Sequence, residues 1–225
     1  MNLNILNNEK EKIADIITKL ASAVRSSLQK KTNIIIAVSG GKSPINLYQQ
    51  LSQTDLPWAN IIITLTDERI VDTSHVDSNE NLIRTHLLIN KAKSAKFIGL
   101  VDIKLNICEM LLKSEVNVPD IDIAILGMGE DGHTASIFSN CTELSDALNL
   151  ENRQNFININ PLESKYSRIS LTLSALRKIP FLFLSISGEL KLDVFQESIK
   201  ENNNNYPISY LLNLRNDIQT FWCAQ

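Results

Sequence analysis

Histidine and cysteine are scarce in this 225-residue chain, three of each, and their scarcity removes several chemistries at once. Cys108, Cys141 and Cys223 are far apart and odd in number, which is no disulfide framework. No CxxC pair or HExxH run offers zinc ligands at a usual spacing. The three cysteines read as small buried hydrophobes in a reducing cytoplasm. An excess of one charge is missing too. The formal net charge is -3, so no nucleic-acid partner is expected, although a local basic pocket is compatible with that balance. No apolar run reaches the roughly 18 residues of a membrane span. The opening Met1-Asn2-Leu3-Asn4 lacks the basic-then-apolar pattern of a secretory signal, and a cytoplasmic location is the expectation. Neither a GxSxG elbow nor a GxxxxGK[ST] loop occurs, which disfavours a serine acyl-enzyme and P-loop nucleotide chemistry.

What is present is an ordinary globular balance, 44% hydrophobic and 21% charged, in a chain long enough for one large core. Residues 9–31 place Ile13, Ile16, Ile17, Leu20, Val24 and Leu28 at helical spacing, which predicts an amphipathic helix. Apolar, β-branched runs at 33–39, 61–66, 97–100, 121–126 and 181–187 read as strands, and 168–174 alternates as one more. Helices are predicted at 44–52, 79–90, 103–114 and 189–200, with another starting at 134–138, a short one after Pro207 and a terminal strand at 218–223. No repeat and no Gly, Pro or Ser-rich linker divides the chain, and Asn202 to Asn205 is read as a surface loop. Strands alternating with helices imply one α/β domain over 1–225. Its sheet is expected to be mostly parallel and Rossmann-like, with helices on both faces.

Three predicted strands end in polar clusters: Ser39-Gly40-Gly41-Lys42-Ser43-Pro44, Asp67-Glu68-Arg69, and Gly127 to His133. In an open parallel sheet ligands bind beyond the carboxyl ends of strands, so the three can converge on one pocket. The first is a glycine turn into a helix N-terminus, suited to an anion or oxyanion. The third, Gly127-Met128-Gly129-Glu130-Asp131-Gly132-His133-Thr134-Ala135-Ser136, packs three of the seven glycines into ten residues. Its GxGxxG spelling matches a dinucleotide cradle, but Glu130 and Asp131 would repel a pyrophosphate. A lone histidine is ordinarily structural; beside two acids at a strand end, His133 is read as catalytic, with a neighbouring carboxylate fixing its tautomer. The sequence leaves open whether Glu130 or Asp131 faces it. His75, in a loop, and His86, in a predicted helix, have no such setting. Arg69 is either a solvated loop charge or a fork for a phosphate or carboxylate. Lys165 and Arg168 are either a basic strand edge or part of the same pocket.

In this order the motifs resemble the short, single-domain 6-phosphogluconolactonase family, which shares the glucosamine-6-phosphate deaminase and isomerase fold. The matching stretches are SGGKSP at 39–44, TDERIVDTSHVDSN at 66–79, ILGMGEDGHTASIF at 125–138 and K-x-x-R-I-S-L-T at 165–172. The resemblance implies hydrolysis of 6-phospho-D-glucono-1,5-lactone, the second step of the oxidative pentose phosphate pathway. By motif, His133 would be the general base that activates water and Asp131 its partner. Arg69, Lys165 and Arg168 would bind the phosphate or steady developing charge, and backbone N–H groups at Gly40 and Gly41 would line the site. The candidate substrate-binding set is therefore Gly40, Gly41, Lys42, Ser43, Asp67, Arg69, Lys165 and Arg168, with His133 and Asp131 as the catalytic pair. Two departures stand out. Lys42 replaces the usual small hydroxyl residue, and Glu163-Ser164-Lys165-Tyr166-Ser167 replaces a proline-rich approach to the Arg168 strand.

A δ-lactone is an activated ester, so a base for water and a stabilised oxyanion suffice, and neither metal nor cofactor is expected. The phosphosugar lactone is the one partner implied, for a monomer or small homo-oligomer. The nearest rival is the deaminase and isomerase class. It usually carries Asp-Glu-Tyr where Asp67-Glu68-Arg69 stands, and GHIAFNE where this chain continues Gly132-His133-Thr134-Ala135-Ser136. A second rival, a non-catalytic sugar-phosphate sensor, has no need of the histidine–acid cluster.

Overall fold

The computed structural model describes residues 2–118 and 120–224. The chain runs β1 (Asn2–Leu6), α1 (Glu9–Leu28), β2 (Ile34–Val38), α2 (Ile45–Gln53), β3 (Ile61–Leu65), β4 (Asp67–Arg69), α3 (Asn79–His86), β5 (Lys96–Phe97) and α4 (Ile107–Asn117). It continues β6 (Ile123–Leu126), α5 (Leu144–Leu148), β7 (Phe156–Ile159), β8 (Arg168–Leu171), α6 (Leu173–Leu176), β9 (Phe181–Ser187), α7 (Glu189–Ser198), α8 (Ile208–Leu214) and β10 (Gln219–Cys223). Seven strands form a parallel sheet in the order β1-β10-β9-β6-β2-β3-β5. Every residue of β6 is buried, as a strand covered on both faces must be, and its sequence is accordingly apolar throughout.

The helices begin where the local chemistry says they should. Asn8 caps α1 by accepting from Glu11 N, and Asn106 with Glu109 forms a reciprocal capping box on α4. That box moves α4 three to four residues later than the 103–114 expected. Helix α3 stops at His86 rather than 90, where a short 3-10 turn over Asn90–Ser94 follows. The sequence marks neither β1, which pairs with β10 at the sheet edge, nor the five-residue α5.

Two expectations need correction. Residues 134–138 do not start a helix. Ala135 has φ 47, Thr134 Oγ1 donates to Gly127 O, and Ser136 N donates to Ser170 Oγ. The positive φ at Ala135 breaks the helical path, and the segment's donors Thr134 Oγ1 and Ser136 N go to partners outside it. Nor does the strand at 168 belong to the parallel sheet. It stops at Leu171, Thr172 caps α6, and β4, β8 and β7 form a separate three-stranded antiparallel sheet. Phe156, Ile169 and Leu171 of that sheet share one continuous core with Ile125 and Val38 of the large one. No helix among the described residues is long and apolar enough to cross a membrane.

Candidate active site

Because β2, β3 and β6 run parallel, their carboxyl ends open on one edge, and the three polar clusters meet there. A cavity of about 190 Å³ is lined by Gly40, Gly41 and Ser43 after β2, by Asp67 and Arg69 of β4, and by Gly127, Gly129 and His133 after β6. Arg168 of β8 and Lys191 of α7 complete it. A second, outer cavity of about 470 Å³ shares Arg69 and Arg168 and adds Asp131, Phe138, Lys165 and Tyr166.

The glycine loop after β6 folds so that one acid meets the histidine. Gly132 takes φ 70 and donates to Gly129 O, while Gly129 N donates to His133 O. Asp131 Oδ1 lies 2.5 Å from His133 Nδ1 and also accepts from His133 N at 3.3 Å. A carboxylate there holds the proton on Nδ1 and leaves Nε2 as the basic nitrogen. A Cβ at residue 129 would fall 2.2 Å from both Asp131 Oδ1 and His133 Nδ1, so glycine is what lets the pair close. Burial pushes the Asp131 carboxyl up, but the hydrogen bond and charge of His133 outweigh it and hold it below its ordinary value. The imidazole stacks on Phe138 with ring centroids 4.2 Å apart.

Phe138 also carries a cation: the Arg168 guanidinium lies 4.7 Å from its ring centroid. Arg168 Nη2 donates to Ser164 Oγ at 3.0 Å and Nη1 to Ser136 Oγ at 3.4 Å, while Arg69 Nη1 donates to Asp77 O at 2.6 Å. The Nε of each arginine is buried without a partner. Burial draws Arg168 below its ordinary value; Asp67 and Asp131 counter that, whereas Arg69 adds to it. Asp67 is buried, with Oδ2 accepting from Ser136 Oγ and Oδ1 from Thr66 Oγ1. It lines the cavity as a counter-charge behind Arg168 rather than as a free carboxylate.

Gly40, Gly41 and Ser43 reach the cavity as the sequence suggested. Among the described residues no hydrogen bond takes the N–H groups of Gly40, Gly41 or Lys42. The Lys42 side chain is exposed and lines neither cavity. Lys165 is also exposed and serves the outer cavity, its Nζ 4.9 Å from the Tyr166 ring centroid. His75 contacts Tyr166, and His86 contacts Gln49, both outside the inner cavity.

Sequence reasoning missed Lys191. Burial pulls this ammonium below its ordinary value, opposed by Glu130 and Asp131 and reinforced by Lys12. Both acids of the loop, Glu130 and Asp131, therefore act on the charge of Lys191, while only Asp131 bonds to His133. A signal was there: Gly188 ends the central β9 and Lys191 sits in the first turn of the next helix, the same strand–glycine–helix grammar as the first cluster. Asn79 and Ser185 were missed as well. No group of three or more His, Cys, Asp or Glu gathers to hold a metal among the described residues.

Residues 7–222 match the family model described as glucosamine-6-phosphate isomerases/6-phosphogluconolactonase. A 6-phosphogluconolactonase of Neisseria meningitidis serogroup A is 39% identical over 215 residues, covering 92% of this chain and 93% of that protein. One from Helicobacter pylori is 44% identical over 179 residues, 79% of this chain and 77% of that protein. The crystal structure of a 6-phosphogluconolactonase from Shewanella baltica superposes with a TM-score of 0.93 at 32% identity, covering 99% of this chain and 97% of that one. The chain belongs to the glucosamine-6-phosphate isomerase/6-phosphogluconolactonase family and groups there with proteins named as lactonases.

Proposed function

We propose that the chain, working as one domain over 1–225, hydrolyses 6-phospho-D-glucono-1,5-lactone to 6-phospho-D-gluconate in the oxidative pentose phosphate pathway. The observation that carries the reading is the Asp131–His133 pair, 2.5 Å apart, beside a cavity walled by Arg69, Arg168 and Lys191. His133 Nε2 removes a proton from water as its oxygen bonds to C1, and the carbonyl electrons move to the exocyclic oxygen. Collapse of that oxyanion breaks the C1–ring-oxygen bond, and the imidazolium returns its proton to the departing oxygen. Asp131 stabilises the imidazolium between those two steps. Arg69, Arg168 and Lys191 supply charge-assisted bonds to a phosphate carrying nearly two negative charges, with the turn N–H groups of Gly40 and Gly41 beside them. Lys165 guards the outer mouth. The same reading places the protein in the cytoplasm, as a monomer or small homo-oligomer acting without nucleic acid or cofactor.

A paired assay tests the reaction class. The lactone and glucosamine 6-phosphate are offered separately to the purified chain. Acceleration of lactone opening over the spontaneous rate is expected; ammonia release without it would overturn the assignment. His133→Ala should lower kcat by about 10²–10⁴-fold while 6-phosphogluconate still binds, and unchanged turnover would remove His133 from the role of base.

A further inference from the structure

Two buried side chains that touch none of the proposed reacting groups hold the glycine turn between β2 and α2. From the α2 side, Tyr48 Oη donates to Ser39 O at 2.5 Å. From the α3 side comes Asn79, only 1% exposed. Its Nδ2 donates to Asp67 O at 2.8 Å and its backbone N to Glu68 Oε1 at 2.8 Å. Its Oδ1 is buried without a hydrogen-bond partner and is pressed against Gly40, where a Cβ would stand 1.8 Å from it.

An orphaned buried carbonyl is costly, and a side chain present only to fill space would avoid it. Asn79 is different in what it joins. One end of its carboxamide is tied to the backbone of β4, the strand that carries Arg69; the other abuts the turn whose N–H groups at Gly40, Gly41 and Lys42 stay unpaired. Its rigid, planar amide therefore sets the spacing between the turn donors and the arginine. It also accounts for the first glycine of the pair, since any Cβ at 40 collides, whereas the second is required by φ 89 at Gly41, where there is open space.

We propose that Asn79 is a positioning residue. Its carboxamide braces Gly40 at a fixed distance from the Arg69 strand, so that turn N–H groups and guanidinium grip one substrate phosphate together. The inference rests on the phosphosugar reading of the cavity. Loss of the brace loosens the grip in both ground and transition states, so binding suffers more than the chemical step.

The test is a double-mutant cycle on the full chain with Gly40→Ala, Asn79→Ala and the two combined, read by calorimetric binding of 6-phosphogluconate, gluconate and inorganic phosphate and by lactone kinetics. Asn79→Ala should weaken 6-phosphogluconate binding about tenfold, the worth of one good hydrogen bond. KM should rise by more than kcat falls, and the pH profile of kcat should not move. Gly40→Ala should lose more, and the double variant should bind no worse than Asn79→Ala alone, because the methyl then has room. Wild-type affinity in Asn79→Ala, or losses that simply multiply in the double variant, overturns the brace. The binding arm is independent of turnover. Tight phosphate-dependent binding with no lactone hydrolysis sinks the lactonase reading alone. Hydrolysis with 6-phosphogluconate bound no better than gluconate sinks the brace alone.

Discussion

Arg69 and Arg168 are direct cross-strand partners on the antiparallel ladder of β4 and β8, which puts two guanidiniums on the same side of a three-stranded sheet. Like charges so placed repel, and Arg69 does act against the charge of Arg168. Each also keeps a buried Nε without a partner. Buried Asp67 behind them offsets part of the repulsion. On the phosphosugar reading proposed above, a substrate phosphate between the two forks would supply the remainder.

That relationship predicts a ligand-dependent stability. At 6-phosphogluconate about 100-fold above its Kd, the folded state gains about 2.7 kcal/mol. Arg69→Gln should melt, without ligand, at or above the wild-type temperature, since a like-charge contact is gone, while most of the ligand-induced rise disappears. Thermal melts with and without 6-phosphogluconate decide it. A full ligand shift in the variant would take Arg69 out of the anion site.

Gly129→Ala isolates the geometry of the Asp131–His133 pair. The added methyl would need the space 2.2 Å from both Oδ1 and Nδ1, so one partner must swing away. The expected result is a fall in kcat matching that of Asp131→Asn, with the melting temperature nearly retained because the pair lies at the cavity rim. Turnover equal to wild type would mean the 2.5 Å contact is dispensable.

Acid titration reads the same pair from the other side. The Asp131 carboxyl is held below its ordinary value in the folded chain, against roughly 3.9 when unfolded. Its stabilising contribution is therefore fully present above about pH 3.9 and is lost as pH falls through the folded value. Half-exposed, the contact is worth at most about 1 kcal/mol. Denaturant midpoints of wild type and Asp131→Asn, measured from pH 7 down to pH 3, should converge at the acid end. A gap that widens on acidification contradicts the assignment.

Glu68 supports the site from beneath. Its buried carboxylate accepts from the backbone N of Arg69, Asn79 and Glu80 and from Ser78 Oγ, joining β4 to the start of α3. Burial pushes its carboxyl above the ordinary value, with those four bonds opposing. Glu68→Gln turns an amide NH₂ toward donors, and a loss of about 1–3 kcal/mol is expected. Urea unfolding at neutral pH measures it; a loss below experimental error would mean the amide finds other partners.

The amino-acid sequence by itself determined what is local. Periods of two and 3.6 marked most strands and helices, and Gly40, Gly41, Gly129 and Gly132 marked turns that residues with a Cβ would strain or block. The composition of the Gly127–His133 loop marked the chemistry. Those signals travel within a few residues, so they are legible without the fold. Tertiary structure alone decided the rest. Strand β4 is three residues long, too short to carry a period, yet its pairing with β8 brings Arg69 and Arg168 together. Thr134 to Phe138 read as a helix, but the folded chain gives Ala135 a positive φ and sends Thr134 Oγ1 to Gly127 O and Ser136 N to Ser170 Oγ. Asp131 and Glu130 are equivalent as letters; only the folded loop, with its positive φ at Gly132, shows that Asp131 is the one bonded to His133. Lys42, expected at the site, lines neither cavity, and Lys191, which no motif marked, lines the inner one. A side chain's distance to its ligand is set by contacts between segments remote in sequence, and only the packed core brings those segments to one edge of the sheet.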